Sequence, residues 1–110
     1  MRKLLFTIFT CLCLLSNITY ANDNNIINKA YHNKQSDIQV QGIGKVIKVL
    51  KDDTKGSKHQ RFLVKLPSGL TILIAHNIDL APRVENLESG DSIEFYGEYE
   101  WNNKGGVVHW

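Results

Sequence analysis

Between His59 and Arg83 the pattern of apolar residues changes twice within a short span, and that stretch narrows what the chain can fold into. Arg61 to Leu66 alternates, with Phe62, Val64 and Leu66 on one side, the period of a half-buried strand. Pro67-Ser68-Gly69 follows, with proline set for the first central position of a turn and glycine free to take positive φ. Leu70 to Ala75 is almost wholly apolar, as expected of a strand covered on both faces or closed into a barrel. The two strands form a β-hairpin. His76 to Val84 then turns polar, and Pro82 stops any helix there within two turns. Asn77 or Asp79 can cap a single turn, and Ile78, Leu80 and Val84 are expected to plug one end of a barrel.

Three further strands frame this hairpin. Asp37 to Leu50 is a long strand in which Gly42 and Gly44 separate Ile38 and Val40 from Ile43, Ile47 and Val49 of opposite parity. Two glycines with a change of parity predict a bulge or bend. Ser92 to Trp101 alternates most cleanly, with Ile93, Phe95, Tyr99 and Trp101 on one side and Glu94, Tyr96, Glu98 and Glu100 on the other. Asn102 to Gly106 reads as a hairpin loop, and Val107 begins the last strand. Ahead of all this, residues 22–36 predict one short helix, with Asp23 as cap and Ile26, Ile27, Ala30 and Tyr31 on one face. The expected fold is mainly β: a small five-stranded OB-like barrel, closed or partly open, over residues 37–110.

Residues 1–21 read as a secretory signal peptide rather than part of the fold. Met1-Arg2-Lys3 is a positive start, Leu4 to Leu15 an apolar run, and Thr19-Tyr20-Ala21 a cleavage site with small residues at −3 and −1. The run is shorter than the ~20 residues a bilayer span needs, so no membrane span is expected after cleavage. Neither Cys11 nor Cys13 has the small residue before it that a lipid anchor requires. The expected location is periplasmic or secreted. Both cysteines leave with the leader, which excludes disulfides and thiol chemistry from residues 22–110. Arg2 and Lys3 leave too, so the 13 basic residues fall to 11, against 11 acidic ones. A net charge of zero argues against whole-domain attraction to nucleic acid or anionic lipid. Charge is nevertheless segregated, with Lys45, Lys48, Arg61 and Lys65 in one segment and Glu94, Glu98 and Glu100 in another. Cross-strand ion pairing is preferred to a basic binding face as the reason.

The stretches G-K-V-I-K-V-L, K-H-Q-R-F-L-V-K-L, I-A-H-N-I-D-L-A-P-R-V and G-D-S-I-E-F-Y-G-E-Y-E-W-N-N-K-G-G-V-V-H-W cover most of Gly42 to Trp110. In these the chain resembles the small exported bacterial proteins grouped as domain of unknown function 3465. The resemblance implies an exported OB-like domain with no established activity. It also implies a continuation beyond His109-Trp110, rich in His, Asp, Gly and Trp, so that this chain is a fragment or a shortened form.

Three functional readings remain at this point. A metal-dependent hydrolase or nuclease would draw on His76, Asp79 and His109 as three ligands, with water as the fourth. No H-E-x-x-H motif supports it, and the competing role for His76 is to hydrogen-bond and orient its loop. A binding module would use Arg61, Lys65, His76, Asn77, Asp79, Arg83 and Tyr96, the last being the one aromatic on the polar face of its strand. Its partner would be an envelope glycan, a peptide or another protein rather than nucleic acid. A structural protein of the envelope would instead use an exposed strand edge. No cofactor is implied. The binding module is the preferred reading.

Overall fold

The computed structural model describes residues 22–110; the signal-peptide reading of residues 1–21 lies outside the described residues. Helix α1 (Asn24–His32) precedes five strands: β1 (Ile38–Val49), β2 (His59–Lys65), β3 (Thr71–Asn77), β4 (Ser92–Glu100) and β5 (Val107–His109). They close in the order β1-β2-β3-β5-β4, with β4 returning to β1. The fold is mainly β, a closed five-stranded barrel of OB type with one short helix, as the strand pattern predicts. All neighbours are antiparallel except β3 and β5, which run parallel.

The core is filled from alternate positions. Val40 and Val46 of β1, Phe62 and Val64 of β2, Ile72 and Ile74 of β3, and Phe95 and Tyr99 of β4 are buried. The expected change of parity at the glycines of β1 does not occur. Gly42 and Gly44 point inward in step with Val40 and Val46, and Ile43, Ile47 and Val49 stay outside at about two-fifths exposure. The physical reason is space rather than bending. The Phe95 ring fills the room a side chain at Gly42 would need, and Val64 does the same at Gly44. The irregularity in β1 comes later, between Val46 and Lys48, where pairing with β2 slips by one residue.

One end of the barrel is closed by α1, not by the loop after β3. Ile27 and Ala30 are fully buried against the core, whereas Leu80 is 70% exposed and Ile78 and Val84 are only half-buried. The stripe is narrower than expected, because Ile26 turns toward solvent and Tyr31 packs at the margin. There Tyr31 stacks on Trp101, centroids 6.5 Å apart, and its backbone carbonyl accepts from the indole Nε1 at 2.9 Å. Asn28 accepts from Ser68 in the β2–β3 turn at 2.8 Å, and the Tyr31 hydroxyl donates to Asn103 in the β4–β5 loop. The helix thus bridges the turns at one rim.

Asp23 does not cap α1 through its side chain. Its carboxylate accepts from the Gln41 N–H at 2.8 Å, and its own N–H donates to the Gln41 carbonyl. Asn24 repeats the arrangement at Ile43, donating from Nδ2 to the carbonyl at 3.0 Å and accepting from the N–H at 3.2 Å. Tyr99 is wholly buried, donates to the Gly105 carbonyl at 2.8 Å, and lies against Gly106, whose φ of +101° and missing side chain let the backbone come so close. Burial pushes its phenol up to about 12.

β1 and β4 do pair, but the charged segments do not neutralise each other. Lys45 stands opposite Ser92, and Glu94 opposite Ile43. Among the described residues Arg83 forms an ion pair with Asp52, and His109 Nε2 lies 3.7 Å from a Glu100 carboxylate oxygen. Cross-strand pairing therefore does not account for the segregated charge.

Candidate binding cleft at the open end of the barrel

β5 lies between β3 and β4 at one end of the barrel. It pairs with β3 over Leu73–Ala75 and with β4 over Glu98–Glu100. Away from the helix, β3 and the first half of β4 therefore separate, and a cleft of about 320 Å³ opens between them. Its floor is an end of the buried core, Phe62, Ile74, Phe95 and Val108, and its lining also includes Tyr96 and Trp110. Those two are 63% and 55% exposed, large apolar surfaces left beside an apolar hollow.

Tyr96 faces outward because the alternation of β4 puts Phe95 and Gly97 inside. Its backbone direction follows from its partner. Gln41, opposite Tyr96 in the ladder, spends its N–H and C=O on Asp23, on the side away from β4. This is then a non-hydrogen-bonded pair, and Tyr96 likewise turns its backbone groups away from β1, into the gap. Period two gives Glu94 the same direction. Among the described residues no strand pairs with this edge.

The residues expected at the site divide between the cleft and its scaffold. His76, His109 and Tyr96 line the cleft. His76 Nε2 lies 2.8 Å from the Pro82 carbonyl, which can only accept, so Nε2 carries the proton and the ring holds the loop. Asn77 is buried and accepts from the Asp79 N–H at 3.0 Å, making the turn that ends β3. Asp79 accepts from the Lys58 N–H at 2.9 Å. Arg83 pairs with Asp52, and Arg61 Nε donates to the Lys51 carbonyl at 3.0 Å. Lys65 lies outside the cleft, beside a shallow depression with Ile43, Ile47 and Leu66. A residue absent from the expected set does much of the positioning. Buried Gln60 donates to the Val84 carbonyl at 3.0 Å and accepts from its N–H at 2.9 Å, fastening the loop over β2. Its signal in the sequence is a polar residue in step with Phe62 and Val64.

His76, Asp79 and His109 do not form a three-donor group. Among the described residues the group close enough for one ion is Glu98, Glu100 and His109, with donor atoms within 4.8 Å of one another. A tetrahedral zinc site with bonds of ~2.0–2.1 Å sets its donors roughly 3.3 Å apart, so these side chains would have to draw in. The Glu98 carboxyl is held above its ordinary range, first by a hydrogen bond with the Asp37 carboxyl, then by burial and the nearby acids; His109 opposes the shift.

The family model described as "Protein of unknown function (DUF3465)" matches residues 8–110. The chain belongs to that family. None of the curated proteins compared matches it. In this DUF3465 chain the matched span includes every strand of the barrel and both sides of the cleft.

Proposed function

We propose that this protein is a non-catalytic binding module that acts after export, periplasmic or secreted, and takes its ligand in the cleft between β3 and β4. The observation that carries the reading is an apolar hollow flanked by two exposed aromatic residues. Such a site offers apolar burial and aromatic stacking together, which suits a ligand with an apolar or planar face. Binding is favoured over catalysis because His76 and Asp79 already have loop-holding partners in Pro82 and Lys58. Export rests on the three-part leader pattern of residues 1–21.

A thermal melt of the full chain against peptides, glycan fragments, oligonucleotides and divalent metals tests the reading. A ligand at ~100 times its dissociation constant should stabilise the fold by ~2.7 kcal/mol, a rise of about 10 °C or more. The rise should shrink in Tyr96→Ala. A panel that leaves the melt unmoved, with the backbone signals of Phe95 and Tyr96 also unmoved by NMR, refutes the site. For export, the chain expressed in a bacterial host should yield a product beginning at Asn22; a product retaining Met1 in the cytosol overturns that part.

A further inference from the structure

We infer that the protein docks on an anionic phospholipid bilayer through the outer face of β1 and β2, a surface that shares no lining residue with the cleft and does not depend on the binding reading above. The segregated charge that ion pairing leaves unexplained points there. Phe62 and Val64 face the core, so Arg61, Leu63 and Lys65 face outward from β2. Lys45 stands opposite Lys65 and Lys48 opposite Leu63, so both lysines of β1 share that outer face. Lys45, Lys48, Arg61 and Lys65 are thereby gathered on one side of two strands. None of them has a carboxylate within ion-pair distance among the described residues.

The pairing of Lys45 with Lys65 sets like charges directly opposite each other, an arrangement that costs stability and that an outside anion relieves. Glu94 stands opposite Ile43, close by on β4, yet pairs with neither lysine. A net charge of zero does not cancel this face. Glu98 stands opposite Gln39, six residues along β1 from Lys45 (39 to 45), which at ~3.3 Å per residue is about 20 Å. The Debye length at physiological salt is ~8 Å, so a bilayer touching the lysines is screened from that end of the acidic row.

The rest of the face decides the kind of anion. Ile43 and Ile47 flank Lys45 at about two-fifths exposure, Ile47 being the residue that the bulge leaves without a partner on β2. With Lys65, Leu66 and Pro67 they line a shallow depression of about 360 Å³. Aliphatic side chains beside unpaired cations match the boundary between phosphate headgroups and acyl chains. A nucleic acid is matched less well, because bases stack on aromatic rings and no Phe, Tyr or Trp points outward from β1 or β2. Glu94, at the β4 margin, repels the same headgroups and so limits how far the barrel can roll toward β4.

The test is co-sedimentation of the full chain with vesicles of phosphatidylcholine alone and of phosphatidylcholine with phosphatidylglycerol. Residues 1–21 are themselves apolar and carry Arg2 and Lys3, so the decisive result is the difference between variants that all share them. The wild type should favour the phosphatidylglycerol vesicles by about tenfold or more and lose that preference in ~1 M salt. Lys45→Gln with Lys65→Gln should weaken the partition roughly thirtyfold. It should not lower Tm, since the pair it neutralises is repulsive. Ile43→Ser with Ile47→Ser should weaken the partition about tenfold. Bicelles containing phosphatidylglycerol should shift the amides of Ile43, Lys45, Ile47 and Leu63 and spare Phe95 and Tyr96. Should the double lysine variant not fold, Lys48→Gln with Lys65→Gln replaces it. Equal partition of the wild type onto the two vesicles overturns the inference, as does equal partition of the wild type and the folded lysine variant. Shifts confined to Phe95 and Tyr96 put the lipid in the cleft and overturn it while the binding module stands. An oligonucleotide or acidic glycan that shifts Lys45 and Lys65 where bicelles do not gives the face another partner and overturns it. Salt-sensitive self-association that shifts both Lys45 and Glu94 gives it a second copy and overturns it too.

Discussion

Gln41 and Tyr96 stand opposite each other in the β1–β4 ladder, and each turns its backbone groups outward, to the far edge of its own strand. The two edges meet different ends. On the β1 side Asp23 and Asn24 saturate Gln41 and Ile43 with four hydrogen bonds, two from one peptide and carboxylate and two from one carboxamide. On the β4 side β5 covers Glu98 to Glu100 and no further. The contrast teaches that a strand edge in so small a barrel can be covered without another strand: the peptide and carboxylate of Asp23 and the carboxamide of Asn24 do at the start of the plugging helix what β5 does for part of β4.

If the sealed end carries stability and the open end carries binding, substitutions should separate the two. The largest loss is expected from Ile27→Ala, which empties the plug: about 3 kcal/mol, a fall in Tm of more than 10 °C. Next comes Tyr99→Phe, about 1–2 kcal/mol, because the buried Gly105 carbonyl loses its donor. The same variant should flatten a slope in the wild type. The folded state keeps the Tyr99 proton up to about 12 while the unfolded chain releases it near 10, so the folded state binds more protons in that window and wild-type stability falls as pH rises through it. Urea melts at pH 8 and pH 11 read both effects. Asn24→Ala should cost about 1 kcal/mol and speed hydrogen exchange at the Ile43 amide above that at Val40.

Two smaller effects belong to β4. Glu98→Gln should raise Tm slightly at pH 7 and lose the gain below pH 4.5, since a carboxyl raised in the folded state penalises folding only where the unfolded group is ionised. Tyr96→Ala should change stability by less than about 0.5 kcal/mol while weakening ligand binding. A Tyr96→Ala loss as large as that of Asn24→Ala would end the contrast, because the open edge would then be bearing load.

Much of the barrel is readable from period two. Phe62, Val64 and Leu66 face inward as the alternation requires, Gly69 takes positive φ in its turn, and Phe95 and Tyr99 are core while Tyr96 is not. What misleads is the glycine pair of β1. Apolar residues at Ile43, Ile47 and Val49 outweigh Gly42 and Gly44 in any reading by hydrophobicity, yet the inward positions are the empty ones, because Phe95 and Val64 arrive there from other strands. Parity within one strand cannot register volume supplied by another. The plug is misplaced for a related reason: Ile78 and Leu80 are as apolar as Ile27, and only the path of the chain decides which lies over the core. The cleft is half legible. Tyr96 stands out as an aromatic on a polar face, but the gap beside it depends on how far β5 reaches along β4, a matter of register between strands. His76 and Asp79 carry the donor types of a metal site, and their neighbours Pro82 and Lys58 engage them through backbone groups that every sequence contains.

The β1–β4 ladder also sets an order of events. Ile38 must wait for Tyr99 and Lys45 for Ser92, so the first strand made is completed only by almost the last. Made from its N-terminus, the chain would hold β1, β2 and β3 as an unclosed ribbon, its apolar positions wet, until β4 followed. Closure by such distant partners is slow relative to local hairpins. Asp23 and Asn24 precede β1 and lie far nearer to it in sequence than β4 does, so they can engage Gln41 and Ile43 as soon as β1 is made, and guard one side of that ribbon while the other waits.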